Sequence, residues 1–214
     1  MKKPMKLVIF KGQAIKVPYK VLLAIAIISF LLTLGILWII NYLNMPRLLI
    51  LILPAYFSTF LTFWAVKINF LKPLAIPLDL NLAWIDGRRI FGNSKTFLGF
   101  IAGVTVGIIV GYLISLMANV FSTTHEAVFF GFLAGLGAMV GDLIRSFFKR
   151  RIGLKSGETW FIFDDLDFVV GALLFLGIYI NFPTTFIVLV LAGTLSLRIL
   201  TNSFDFIFKL KKFY

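Results

Sequence analysis

The sequence predicts an all-α fold, a polytopic membrane bundle of about six transmembrane helices, and three observations predict it. Apolar residues make up 60% of the 214-residue chain and charged residues only 14%, against roughly half and a quarter in soluble domains. Uncharged runs long enough to cross a hydrocarbon core of about 30 Å recur along the chain. The charges between them gather in a leader, two loops and a tail. The chain has no cysteine, which excludes disulfides, zinc-thiolate sites and thiol nucleophiles. One bundle uses up the length, leaving little for a separate soluble domain.

The first span is residues 21–40, "VLLAIAIISFLLTLGILWII", without a charge. A leader with six lysines precedes it and no small-residue cleavage site follows, so it reads as a retained anchor rather than a removed signal. A second span runs from about Leu48 to Val66 with Pro54 inside, and a third from about Phe97 to Ala118. Gly103, Gly107 and Gly111 in the third have the spacing that lets helix backbones approach closely, a packing feature. The fourth uncharged run, "AVFFGFLAGLGAMVG", has 15 residues, about 22 Å of helix, too short to cross. That helix must continue through Asp142 toward Phe148, drawing the carboxylate to the membrane's inner edge. "FVVGALLFLGIYI" is short in the same way, so the fifth helix must begin near Trp160 and include Asp164, Asp165 and Asp167. Residues 184–201 return as a sixth span before the basic tail.

Six spans put both termini on one side with the loops 67–96 and 149–155. Of the 21 basic residues only Arg47 falls in a loop on the other side, so the positive-inside rule makes the basic side cytoplasmic. A net charge of +12 in so apolar a chain reports orientation and contact with anionic membrane lipids, and no nucleic-acid partner is expected. His125 faces outside as an ordinary loop residue. The glycine-rich third and fourth helices suit packing within the chain or between chains, which leaves a homo-oligomer open.

Five of the nine acidic residues lie between Gly141 and Asp167. Carboxylates in a membrane cost at least about 2.5 kcal/mol each at its centre, so each calls for a partner or a function. Asp142, Ser146 and Lys149 share one helix face at i, i+4 and i+7, and Asp164 and Asp167 share another at i, i+3. Interfacial Asp and Lys also form plain structural ion pairs. Three converging carboxylates without histidine or cysteine nevertheless make a hard oxygen environment suited to Mg²⁺. Lys149, Arg150, Arg151 and Lys155 beside it are what phosphoryl or nucleotidyl transfer needs. An ion relay in a small transporter would use intramembrane carboxylates as well. The loop "WIDGRRIFGNSKTFLGF", with Arg88, Arg89 and Lys95-Thr96 just before a helix, favours a nucleoside triphosphate, although the P-loop spacing is absent.

Three blocks carry a resemblance: "LILPAY" at Leu51–Tyr56, "DGRRIFGNSKT" at Asp86–Thr96, and "GDLIRSFFKRRIGLKSG" with "DDLD" at Gly141–Asp167. Together they are similar to the CDP-archaeol synthases, relatives of the CDP-diacylglycerol synthases, from about Leu48 to the C-terminus. The resemblance implies a membrane cytidylyltransferase that joins CTP to 2,3-bis-O-(geranylgeranyl)-sn-glycerol 1-phosphate, an isoprenoid glycerol phosphate ether lipid. It gives CDP-archaeol and pyrophosphate with Mg²⁺. Phosphatidic acid, the substrate of the diacylglycerol relatives, is the alternative. Metal would lie on Asp142, Asp164 and Asp167, with Lys149 also catalytic, and Arg88, Arg89, Lys95, Thr96, Ser146, Arg150 and Lys155 would bind substrate. Leu98 replaces a residue usually polar in the family, and Asp165 stands at a position expected to be glutamine-like. Residues 1–47 read as a leader and extra anchor added to a five-span catalytic domain at 48–214.

Overall fold

The computed structural model describes residues 5–8, 14–17, 19–65, 75–118, 120–155, 158, 160 and 163–207. Its elements are β1 (Met5–Val8), β2 (Ala14–Val17), α1 (Tyr19–Tyr42), α2 (Pro46–Ala65), α3 (Phe97–Met117), α4 (Thr124–Arg151), α5 (Phe163–Leu176) and α6 (Thr184–Ile207). Two compact units are formed, Met1–Leu43 with Val188–Tyr214, and Asn44–Ile187.

In the first unit the basic leader folds back on itself, with β1 antiparallel to β2 and Lys6 opposite Lys16. Hydropathy alone gave no sign of this pairing. α1 turns most of its large apolar side chains outward, as a lipid-facing helix does, and buries Ser29 and Thr33. The Thr33 hydroxyl lies 2.8 Å from both the Ser29 carbonyl and the Ser196 hydroxyl on α6. A polar pair shared between helices removes the cost of leaving either hydroxyl bare in hydrocarbon.

The second unit is built on glycine. A Cβ placed on Gly107 would meet the Gly131 carbonyl oxygen at 2.6 Å, and one on Gly111 would meet that of Ala127 at 2.4 Å. The stripe in α3 thus packs backbone to backbone on α4, the role its spacing predicts. α4 and α5 are as close: a Cβ on Gly141 would fall 2.2 Å from the Asp167 carbonyl oxygen. That contact brings the acidic start of α5 against the residue beside Asp142.

Among the described residues four helices are long and apolar enough to cross a membrane by themselves: Leu23–Tyr42, Phe97–Met117, Thr124–Arg151 and Thr184–Ser203. The apolar stretch Pro46–Thr62 of α2 is shorter, and α5 has 14 residues, about 21 Å of helix. The fourth helix does run on through Asp142 and past Phe148 to Arg151. The fifth begins at Phe163, although its first hydrogen bond reaches back to the Trp160 carbonyl (3.0 Å), and the Trp160 N–H donates to the Asp164 carboxylate (2.8 Å). An acid that satisfies an orphan N–H at a helix start fixes where that helix begins.

Candidate active site

The loop before α3 is organised by one carboxylate. Asp79 is buried, 3% exposed. It accepts hydrogen bonds from the Arg89 guanidinium (Nε to Oδ2, 3.1 Å) and from the N–H groups of Gly92 (2.9 Å), Phe91 (3.1 Å) and Asn81 (3.2 Å). Burial alone would raise the Asp79 pKa, but these donors hold it well below the usual carboxylate range. Gly92 takes φ +91°, a backbone state that costs glycine little, and so delivers its N–H to Asp79.

This loop grips the end of α4. The Arg88 guanidinium donates to the carbonyls of Arg150 (3.2 Å) and Arg151 (2.6 Å), groups left orphaned at a helix C-terminus. Arg151 answers by donating to the Arg89 carbonyl (2.6 Å) and pairing with Asp86 (2.9 Å). Between loop and helix end lies a pocket of about 420 Å³ lined by Arg88, Arg89, Asn93, Arg150, Leu154 and Lys155, with Gly92 and Gly153. Four cations line it and no carboxylate does. The Arg150 Nε is buried without a hydrogen-bond partner, although another nitrogen of the same guanidinium donates to the Leu154 carbonyl (2.7 Å). Four cationic side chains around an opening of this size make a place for an anion.

The carboxylates lie one face around on α4. Arg145 is their centre: its guanidinium bonds Asp142, reaches Asp164 at 2.6 Å, and brings Nε within 2.7 Å of Asp167. The last is an ion contact outside hydrogen-bond alignment. Lys95, at the end of the loop, pairs with Asp142, and Lys149 pairs with Asp164 (3.0 Å) and donates to the Glu158 carbonyl. Three carboxylates thus meet three cations. Side-chain exposure in this cluster runs from 7% to 22%, and ions this far out of water are tolerable only in such paired networks. Among the described residues no three His, Cys, Asp or Glu side chains draw together into a ready metal cage. The donor set still suits a hard divalent ion, being all carboxylate oxygen from two helices, and Arg145 and Lys95 hold the oxygens such an ion would use.

The CarS-like family model, described as CDP-archaeol synthase, matches residues 40–214. The chain belongs to the CDP-archaeol synthase family. It is therefore a membrane-embedded transferase of lipid biosynthesis, a CTP-dependent cytidylyltransferase by class. Relatives that carry the name CDP-archaeol synthase include one from Thermofilum pendens, 34% identical over 78% of this chain and 80% of its own length, and one from Pyrococcus abyssi, 37% identical over 75% and 92%. The relative from Methanospirillum hungatei is 44% identical over a shorter stretch, 46% of this chain and 61% of its own length. A solved structure described as an intramembrane enzyme for archaeal membrane lipids biosynthesis superposes with a TM-score of 0.61 at 30% identity, over 72% of this chain and 90% of that one.

In this member of the CDP-archaeol synthase family, the residues expected from the motifs fall into three groups. Asp142, Lys149, Asp164 and Asp167 meet in the carboxylate cluster, joined by Lys95 from the loop. Arg88, Arg89, Arg150 and Lys155 line the basic pocket. Thr96 and Ser146 are buried and engaged internally: the Thr96 hydroxyl caps α3 by accepting from the Gly99 N–H (3.1 Å), and the Ser146 hydroxyl donates to the Asp142 carbonyl (2.7 Å). Neither lines the pocket. Two residues that organise the site, Asp79 and Arg145, escaped the motif reading. Arg145 stands at i+3 from Asp142, a spacing that could have nominated it.

Proposed function

We propose that the chain transfers CMP from CTP to 2,3-bis-O-(geranylgeranyl)-sn-glycerol 1-phosphate, yielding CDP-archaeol and pyrophosphate at the cytoplasmic face of the membrane. One observation carries the site assignment: consecutive residues of α4 serve both halves of the site, Lys149 in the carboxylate cluster and Arg150 in the basic pocket. A triphosphate in the pocket meets Arg88, Arg89, Arg150 and Lys155. An oxygen of the lipid phosphate attacks the α-phosphorus, the bond between the α-phosphorus and the bridging oxygen breaks, and pyrophosphate leaves. Lys95 and Lys149 sit where charge develops on the transferring phosphoryl group, and positioning and charge neutralisation do most of the catalytic work in such a transfer.

Asp142, Asp164 and Asp167 would hold Mg²⁺, which when bound supplies further neutralisation of the triphosphate. Thr96 and Ser146 act through position, one fixing the start of α3 beside Lys95 and the other sitting one turn from Asp142. The distribution of lysine and arginine supports the cytoplasmic placement of both termini and the site. Residues 1–47 are a leader and added anchor, in keeping with a family match that begins at residue 40. A protein starting near Asn44 is expected to insert and retain turnover.

The test is pyrophosphate release by the purified protein with Mg²⁺ and each nucleoside triphosphate in turn, with the geranylgeranylated glycerol phosphate or phosphatidic acid as acceptor. Release that requires both CTP and the ether lipid is the expected result. Release with phosphatidic acid alone moves the substrate to the diacyl class, and none with either lipid overturns the assignment.

A further inference from the structure

The loop that builds the basic pocket is itself apolar on its outer side. Ile76, Leu80, Leu82, Trp84 and Ile85 fall within ten residues, and they are 52%, 59%, 59%, 46% and 94% exposed. Large apolar side chains gathered this way mark a contact surface rather than a solvated turn. The face does not end at the loop. Trp84 packs edge-on against Phe147 of α4 (5.5 Å between ring centroids). Together with Phe91 it faces Leu143, Ile144 and Phe148 across a groove of about 520 Å³ in which no polar surface is exposed.

The depth of this groove follows from the length of α4. Its 28 residues extend about 42 Å, against a hydrocarbon core of about 30 Å. With the polar start Thr124–Glu126 outside the core, the hydrocarbon ends near Phe147, and Arg150 and Arg151 emerge at headgroup level. Ile144 and Phe148, one turn apart on α4, are about half exposed on a face turned about a third of the way around the helix from Asp142, Arg145 and Lys149, and exposed apolar side chains on a spanning helix face lipid. The exposed loop residues continue that lipid-facing surface, with an amphipathic tryptophan at the boundary and arginines just above it, the layering of a membrane interface.

We propose that the loop Ile76–Ile85 is an interfacial anchor: its apolar side chains enter the leaflet on the side of the active site, and hydrocarbon tails of bilayer lipid fill the groove between Trp84 and α4. The basic pocket is thereby held in the headgroup plane, so a lipid phosphate reaches Arg88 and Arg89 without leaving its leaflet. The partner is the lipid surface itself, and the inference stands whichever lipid is the substrate.

The absence of cysteine makes a direct test available. Single nitroxide labels are introduced at Ile85→Cys and, as a second site in case the first disturbs folding, at Leu82→Cys. The labelled protein is reconstituted in vesicles of phosphatidylcholine and phosphatidylglycerol, with lipid-facing Ile109→Cys and exposed His125→Cys as references. The expected result is that labels at 82 and 85 collide freely with oxygen and are shielded from a water-soluble nickel complex. Their oxygen-to-nickel ratio should stand severalfold above that at 125 and below that at 109, which lies near the middle of α3, at every protein density. Nickel accessibility equal to that at 125 would put the loop in water and overturn the proposal. Shielding from both reagents, or spin–spin broadening that grows with protein density, would overturn it in favour of contact with a second copy.

Discussion

The two halves of the site are built on opposite electrical plans. In the carboxylate cluster Asp142, Asp164 and Asp167 are matched by Lys95, Arg145 and Lys149, while the pocket one residue further along α4 presents four cations and no acid. The first is nearly closed to water and owes its order to internal pairing. The second is open: Arg89 is matched by Asp79 behind the pocket, while Arg88, Arg150 and Lys155 have no acid in the pocket lining. Arginine therefore contributes mainly to folding at position 145 and mainly to ligand binding at position 150, and substitutions should separate the two.

The largest effect is expected from Asp142→Asn. Losing this charge should lower turnover by at least about 10²-fold, the scale for removing one electrostatic contact to a transition state, with the protein still folded by circular dichroism. Arg145→Met attacks the balance itself. It leaves three acids facing one another with one shared cation fewer, and should destabilise the protein by roughly 3–5 kcal/mol, read as lowered thermal stability in detergent, with Arg145→Lys partly restoring it. Arg150→Gln should do the reverse. With one charged hydrogen bond to the triphosphate gone, KM for CTP should rise about tenfold, the change expected for about 1.4 kcal/mol, with thermal stability lowered only by the loss of the bond to the Leu154 carbonyl. A drop in stability on Arg150→Gln equal to that on Arg145→Met would erase the distinction between the halves.

The smallest effect concerns acid. The folded loop holds the Asp79 carboxyl below its ordinary value, so the stabilisation by its ionised form is complete above about pH 3.9, the unfolded value. It drains away as pH falls from there toward the lowered folded pKa. Protection of the Phe91 and Gly92 N–H groups against hydrogen exchange, taken relative to the free-peptide rate at each pH, should therefore be unchanged between neutral pH and about pH 5 and fall in stronger acid. Asp79→Asn should make that protection insensitive to acid.

The helices and the carboxylate stripe are legible in the sequence for a physical reason: a bilayer imposes a fixed length. An uncharged run too short to cross forced α4 onward through Asp142, and the structure carries it to Arg151. Arg145 was hidden because an arginine near a helix end looks like a side chain snorkelling to water, whereas here it turns inward to acids 19 and 22 positions away. Asp79 was hidden because its partners are loop N–H groups up to 13 positions on, and no periodicity records such contacts. The leader strands were unreadable for a related reason, since pairing across five intervening residues leaves no hydropathy signature.

The close approach of Gly141 and Gly171 to the facing backbone has a mechanical consequence. A Cβ at Gly171 would come within 2.1 Å of the Gly137 carbonyl oxygen, so α4 and α5 touch along their main chains, with no side-chain layer to yield. They form a fixed wall of the site, one that owes its spacing to main-chain contact rather than to side chains that could repack.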